Sequence, residues 1–493
     1  MKPFDRDMED VLACLGDALK DPRRPKHCAQ FYIDSFFALN ETDYEHALRE
    51  RPQSGGVLWR NTLHRRAGRH KHAFLDICWA FLATLRSLED IDAMMAAMEL
   101  CQCHMYQWPS RWEWIHAPRR GRSGSFSEAL LQIVCFVTEV LTWAPDDYSK
   151  SRRRADRAAQ RGSFVPWPEH ARTLLGTDAD TTITALCRWM TVCPSHEHFK
   201  LLYELARICG RPAVIPMFRC VHLPRLLMDE LEKGLALLPR RLEALPPMFA
   251  TLRWFRTALA HPDGMSTAAF YGSECERGLR LVDRMLGIWP WVRRVPESQH
   301  TDEEKANWVF FMRDAGWVHS ALGLPYDEAQ YRREVLDCSR DAQSLRAQSN
   351  VYHCVHDEMM RQCKMDYCGF PPCMATFTSE GRPFRYCGGC KRVPYCSVAC
   401  QRKHWRWERS AHRNLCDDFR YLRDILEYPA ALGKRDMEQP FSKEDAEVLC
   451  HVKKVDLAAI QNVAPYYQEY NKRILKEIYG GSADATSYLN KLA

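Results

Sequence analysis

CGFPPC (368–373), CGGC (387–390), KRVPY (391–395), CSVAC (396–400) and HRNLC (412–416) place seven cysteines and a histidine in one short stretch. Zn²⁺ favours closed tetrahedral sites of thiolate and imidazole. Ligands that come in close pairs cost little ordering entropy per metal bond. Gly388 and Gly389 let the backbone between Cys387 and Cys390 make a tight knuckle. Cys396 and Cys400 are four apart, as are His412 and Cys416, and residues four apart share a helix face. Pro371 and Pro372 stiffen the loop from Cys368 to Cys373. The pattern predicts a small module that holds two structural zinc ions and owes much of its folding to them.

YCSVACQ (395–401) followed by Trp405, with the run closed by His412 and Cys416, resembles the MYND zinc finger. The resemblance covers residues 368–416. It implies a cross-brace: Cys368, Cys373, Cys396 and Cys400 on one ion, and Cys387, Cys390, His412 and Cys416 on the other. It also implies recognition of a short proline-containing peptide by Gln401 and Trp405. A flat indole stacks well on a proline ring, and a Gln amide can pair with peptide backbone. Trp405 has a second reading, as packing against the metal core. Gly388 stands where the family carries a polar residue that can contribute to the groove, and Trp407 is an aromatic without a family counterpart.

The spacing departs from the family in one place. The family's His follows the sixth Cys by seven residues, and here the gap to His412 is longer by about one helical turn, which would preserve its facing. His404, four after Cys400, is a rival ligand, and Cys363 is a rival for the first position. Cys354 with His356 is a weaker pair. The basic residues Arg385, Lys391, Arg392, Arg402, Lys403, Arg406 and Arg409 would favour thiolates.

Outward from the finger, apolar periodicity predicts helix after helix. Over 72–88, Phe74, Cys78, Phe81, Leu82 and Leu85 fall on one face. Over 195–209, Phe199, Leu202, Tyr203 and Ala206 do the same, with Ser195 as cap and Gly210 and Pro212 as stop. Thr301 and Glu304 form a capping-box pattern before Trp308, Phe311, Met312 and Ala315, closed by Gly323 and Pro325. Beyond Cys416 the pattern resumes with Phe419, Leu422 and Leu426. It then runs from Ser442 and Asp445 through Leu457, Ile460, Tyr467, Ile474 and Ile478 to Gly480 and Gly481. The expected fold is mainly α: a helix bundle or irregular helical repeat over 1–350, a connecting segment over 351–367, the finger over 368–416, and a helical region over 417–493. That last region is expected to pack on the finger or on the large helical part. Breaks are expected at 51–56, 118–124, 144–154 and 262–265.

With 46% hydrophobic and 27% charged residues the chain can build a sizeable core, so wholesale disorder is excluded. The formal charge of +6 permits an acidic partner without requiring one. The first twenty residues carry acids and lack an apolar core, unlike a signal peptide. The most apolar stretch, 133–144, is short and holds Glu139, which suits a buried helix better than a membrane span. An intracellular protein follows, in nucleus or cytoplasm. Its 22 cysteines are then thiols or ligands. Cys78, Cys135, Cys187 and Cys209 read as small buried hydrophobes, and Cys101, Cys103 and His104 as helix residues without a second ligand pair.

Basic runs at 64–72, 119–122 and 152–161 suit phosphate contact or solvated loops, and no stacking platform accompanies them. A nucleic-acid-associated regulator is therefore an alternative. No phosphate loop, dinucleotide fingerprint, GxSxG or HExxH pattern is apparent. The motifs of a SET-type lysine methyltransferase are also missing. The sequence thus predicts a binding protein rather than an enzyme, with a protein partner that carries a proline-containing motif, no membrane and no small-molecule substrate.

Overall fold

A computed structural model describes residues 3–36, 72–101, 124–142, 167–168, 171–176, 178–209, 211–238, 241–259, 270–292, 294, 302–347, 368–373, 375, 380, 382, 384–408, 410–426 and 443–466. The described residues are mainly helical, as the periodicity predicts. The chain divides into two compact units, Met1–Gly234 with Glu243–Trp254, and Leu235–Leu242 with Phe255–Ala493. That division falls inside the stretch 1–350, which apolar periodicity alone treats as one helical region.

In the first unit the helices are α1 (Pro3–Leu19), α2 (His72–Ala83), α3 (Leu88–Glu99), α4 (Phe126–Thr142), α5 (Ala171–Leu175), α6 (Ala179–Val192), α7 (His196–Cys209) and α8 (Arg211–Arg219). Helix α2 packs against α1, α4 and α6, elements well separated in the chain. Contacts of this kind make a bundle rather than an array in which each repeat meets only its neighbours. Trp189 of α6 is the hinge of this core. Its ring stacks on Phe81 of α2 at 5.7 Å and meets Phe126 of α4 at 5.9 Å, and its Nε1 donates to the Leu82 carbonyl at 3.0 Å. Removing such a ring from water contributes on the order of 3 kcal/mol.

Helix α2 buries Phe74, Cys78, Phe81 and Leu82 as predicted. It stops at Ala83, and Leu85 lies beyond it, partly exposed. The physical reason is the next helix: the Ser87 hydroxyl accepts from the Asp90 N–H at 3.0 Å while the Asp90 carboxylate accepts from the Ser87 N–H. That capping box starts α3 and forces a break before it. Ser195 caps α7 by accepting from the Glu197 N–H at 3.3 Å. Helix α7 ends at Cys209, as the stop expected at Gly210 and Pro212 requires, and Pro212 falls in the first turn of the next helix, α8, where its missing N–H costs nothing. Cys78, Cys187 and Cys209 are buried and Cys135 half-buried. Helix α4, which contains most of the 133–144 stretch, is a buried core helix. No helix among the described residues is long and apolar enough to cross a membrane.

Helices α9 (Leu223–Leu237) and α10 (Leu245–Leu259) run across the division. The second unit adds α11 (Cys275–Val292), α12 (Asp302–Ala321) and α13 (Arg333–Ala347). Trp308, Phe311 and Ala315 of α12 are buried, and the turn after its end at Ala321 holds Gly323, with a φ of 63°. The finger follows as β1 (Arg385–Tyr386), β2 (Pro394–Tyr395), α14 (Val398–Trp405) and α15 (His412–Leu426). The two strands pair antiparallel, Arg385 with Tyr395 and Tyr386 with Pro394. The tail holds α16 (Lys443–Val452) and a further helix over 457–466. Among its described residues the tail forms two helices where the periodicity suggests one, broken at a turn in which Lys454 takes a φ of 53°.

Finger and tail share one core. Phe370, Phe384, Val393 and Tyr395 pack with Phe419, Leu422 and Leu426 of α15 and with Cys450, Ile460, Val463 and Tyr466 of the tail. Helix α15 runs through residue 416 without interruption. Of the two expected packing surfaces for the tail, the structure therefore shows the finger. The segment 351–367, the predicted breaks at 51–56, 144–154 and 262–265, most of 118–124, the cap Thr301, the stop Gly210, and the tail from Tyr467 onward lie outside the described residues.

Candidate metal centre

The structure brings the eight candidate ligands together as two groups of four. Cys368, Cys373, Cys396 and Cys400 form one, and Cys387, Cys390, His412 and Cys416 the other, with ligand atoms within 4.8 Å of one another in each. The interleaving matches the expected cross-brace. In the first group the Cys373 and Cys396 sulfurs are 3.6 Å apart and those of Cys396 and Cys400 3.5 Å. In the second, the Cys387 and Cys416 sulfurs are 3.9 Å apart, and Cys390 Sγ lies 3.6 Å from His412 Nε2. A zinc tetrahedron with Zn–S bonds of about 2.3 Å has sulfur–sulfur edges of about 3.8 Å, and about 3.6 Å where nitrogen replaces one sulfur. Both groups therefore fit Zn²⁺, with protein ligands at every vertex.

Local structure explains each position. The turn through Pro371 and Pro372 is closed by the Cys373 N–H on the Phe370 carbonyl at 2.7 Å. The Cys387 knuckle is closed by the Lys391 N–H on the Cys387 carbonyl at 2.8 Å. Its left-handed residue is Lys391, at a φ of 53°, and neither glycine takes that conformation. Gly389 is needed for space instead, since a Cβ there would sit 2.9 Å from the Cys416 sulfur, while Gly388 faces open space. Cys396 lies before α14, whose N-cap is Ser397, so only Cys400 is on the helix. The expectation that both sulfurs share a helix face fails there. It holds for His412 and Cys416, both on α15. The longer gap before His412 is not an added helical turn. Helix α14 ends at Trp405 and α15 starts afresh at His412, so the extra residues sit in the link between them.

His404 is no ligand in this arrangement. Its Nδ1 lies 2.8 Å from the Tyr395 hydroxyl, its ring stacks on Tyr466 at 5.3 Å, and it is fully buried. Burial lowers its pKa to about 3 and that of His412 to about 4, so both imidazoles are neutral near pH 7. Cys363, Cys354, His356, Cys103, His104, the basic runs at 119–122 and 152–161 and nearly all of that at 64–72 lie outside the described residues; Cys101 is buried.

Without metal, burial pushes the Cys390 thiol up to about 12, against backbone N–H groups of Val393 and Arg392 that favour the thiolate. The Cys396 thiol rises to about 11, through burial and the sulfurs of Cys400 and Cys373. At Cys400 burial is outweighed by hydrogen bonds from Ser397 and the neighbouring sulfurs, and its pKa falls. Backbone N–H groups, the Ser397 hydroxyl and, at Cys400, neighbouring sulfurs favour ionised sulfur. Arg385, Lys391, Arg402, Lys403 and Arg406 are exposed, where solvent screens them, Arg392 is buried, and Arg409 lies outside the described residues. A divalent cation supplies the charge that four adjacent sulfurs need.

Trp405 remains 39% exposed while its ring lies 5.8 Å from that of His412. It both abuts the second metal group and presents indole surface to solvent. Gln401, one turn earlier on α14, is half-buried. Trp407 turns the other way and meets the buried Phe370 at 6.0 Å and His404 at 6.2 Å, so it belongs to the core. Sequence reasoning missed Tyr466, whose hydroxyl donates to the Gly369 carbonyl at 2.7 Å.

Residues 362–416 match the family model described as the MYND finger, and this segment is a MYND-type zinc finger. Tudor domain-containing protein 1 of Oryzias latipes is 35% identical over 71 residues, which is 14% of this chain and 5% of that protein. The chain therefore spans a small fraction of the length of that curated relative. No solved structure matches the chain.

Proposed function

We propose that this chain is a non-catalytic interaction protein whose finger captures a short proline-containing peptide of a protein partner, with the helical units as scaffold. The observation that carries the reading is the partly exposed Trp405 indole set against His412 of a four-ligand metal group. The metal fixes the helix that presents the ring, so the aromatic surface is ordered before a peptide arrives. A proline ring offers a flat apolar face to it with little entropy to lose, and Gln401 stands one turn away for the peptide backbone. Both metal groups are filled by protein side chains, which leaves no vertex for an activated water.

The test is binding of fluorescent proline-containing peptides to zinc-loaded full-length chain and to Trp405→Ala. An aromatic anchor is worth about 1–3 kcal/mol, so binding should weaken by about fivefold or more, with zinc content unchanged. Equal binding by both proteins would overturn the groove assignment.

A further inference from the structure

The two metal groups differ in their access to solvent. Cys373, Cys396 and Cys400 of the first are each half-buried, and only Cys368 is fully enclosed. All four residues of the second are buried. Around His412 the rings of Phe419, Trp405 and Tyr395 lie at 5.7, 5.8 and 6.1 Å. Two of its ligands sit on α15, which continues into the shared core through Phe419, Leu422 and Leu426. The first group is backed less: only Cys368 lies in the buried core, while Cys373, in a turn, Cys396, ahead of its helix, and Cys400 pack against that core half-buried.

We propose that the sites are unequal in exchange: the four-cysteine site gives up its ion to small chelators first, and the site with His412 keeps its own. Each exchange forms a bond from a chelator donor to zinc as a sulfur–zinc bond breaks, and the freed thiolate takes a proton from solvent. Such a step needs approach to a vertex. Three vertices of the first group admit it. The second group admits it only after α15 moves, which disturbs the common core. This inference rests on zinc loading and is independent of the peptide groove.

The experiment uses full-length protein loaded with two zinc ions, mixed with excess pyridylazoresorcinol in the presence of N-ethylmaleimide. Released zinc is followed by absorbance, and alkylated cysteines are identified by peptide mass spectrometry. The expected result is two equal phases, the first at least roughly tenfold faster, as a barrier lower by about 1.4 kcal/mol gives. During that phase Cys373, Cys396 and Cys400 should label while Cys387, Cys390 and Cys416 stay protected. A single phase that releases both ions, or early labelling of Cys387, Cys390 and Cys416, would overturn the inference.

Discussion

The Tyr466 hydroxyl donates a buried 2.7 Å hydrogen bond to the carbonyl of Gly369, the residue after the first candidate zinc ligand and 97 positions earlier in the chain. With the His404 stack at 5.3 Å it fastens the tail helix to the cross-brace. The tail is thereby part of the zinc module. Tyr466→Phe should remove about 1 kcal/mol of stability, since it leaves a buried carbonyl short of its donor. Tyr466→Ala should cost about 3 kcal/mol or more by adding a cavity. Urea unfolding of the zinc-loaded protein measures both, and unchanged midpoints would detach the tail from the module.

The two histidines of the finger should separate cleanly by metal content. His412→Ala removes one vertex of the second group, and zinc per chain should fall to one or below. His404→Phe keeps the aromatic packing and loses hydrogen bonds, among them that with Tyr395, but no metal ligand, so two zinc ions should remain. Elemental analysis decides, and the reverse pattern would exchange the two roles.

Gly389 and Gly388 should respond differently to the same change. Gly389→Ala presses a methyl to 2.9 Å from the Cys416 sulfur and should weaken metal binding by about 1–3 kcal/mol through overpacking. Gly388→Ala meets nothing within 4 Å and should bind as the parent does. Competition with a chelator of known affinity reads both. Equal loss at the two positions would show that backbone conformation, not space, is what the knuckle requires.

Acid should strip the first group more steeply than the second. Each coordinating thiol must give up its proton, so apparent affinity falls as pH falls. In the metal-free chain, where the module lacks the zinc that folds it, an imidazole with the ordinary value of about 6.5 is mostly neutral at pH 7.5, so His412 has little proton to release there. The second group thus displaces one proton fewer than the four-cysteine group. Zinc retained after dialysis between pH 7.5 and about 6.5, the ordinary imidazole value, should therefore decline with the steeper slope at Cys373, Cys396 and Cys400, read by alkylation. Parallel slopes would contradict this.

The ligand set is legible because metal chemistry writes itself locally: pairs three to five residues apart, each answering to one turn or one helix end. The choice of His412 over His404 is legible for the same reason, through its partner Cys416 on α15. The mainly helical fold is legible wherever one face repeats, as at Phe74, Cys78 and Phe81. What escapes are the features set by distant chain. Nothing near Tyr466 announces a carbonyl 97 residues upstream. The end of α2 is decided by the Ser87–Asp90 cap of the following helix, not by its own apolar face. The true reason for Gly389 is a sulfur on a different helix. The division within 235–254 leaves no mark in composition, because both units draw on the same helical pattern.

The measurement that bears most directly on this account is zinc K-edge X-ray absorption on the purified full-length chain, together with its zinc content. Two closed groups with seven sulfurs and one nitrogen between them predict two ions per chain and a first shell of sulfur with a minor nitrogen share. One ion per chain, or an oxygen ligand in the first shell, would contradict it.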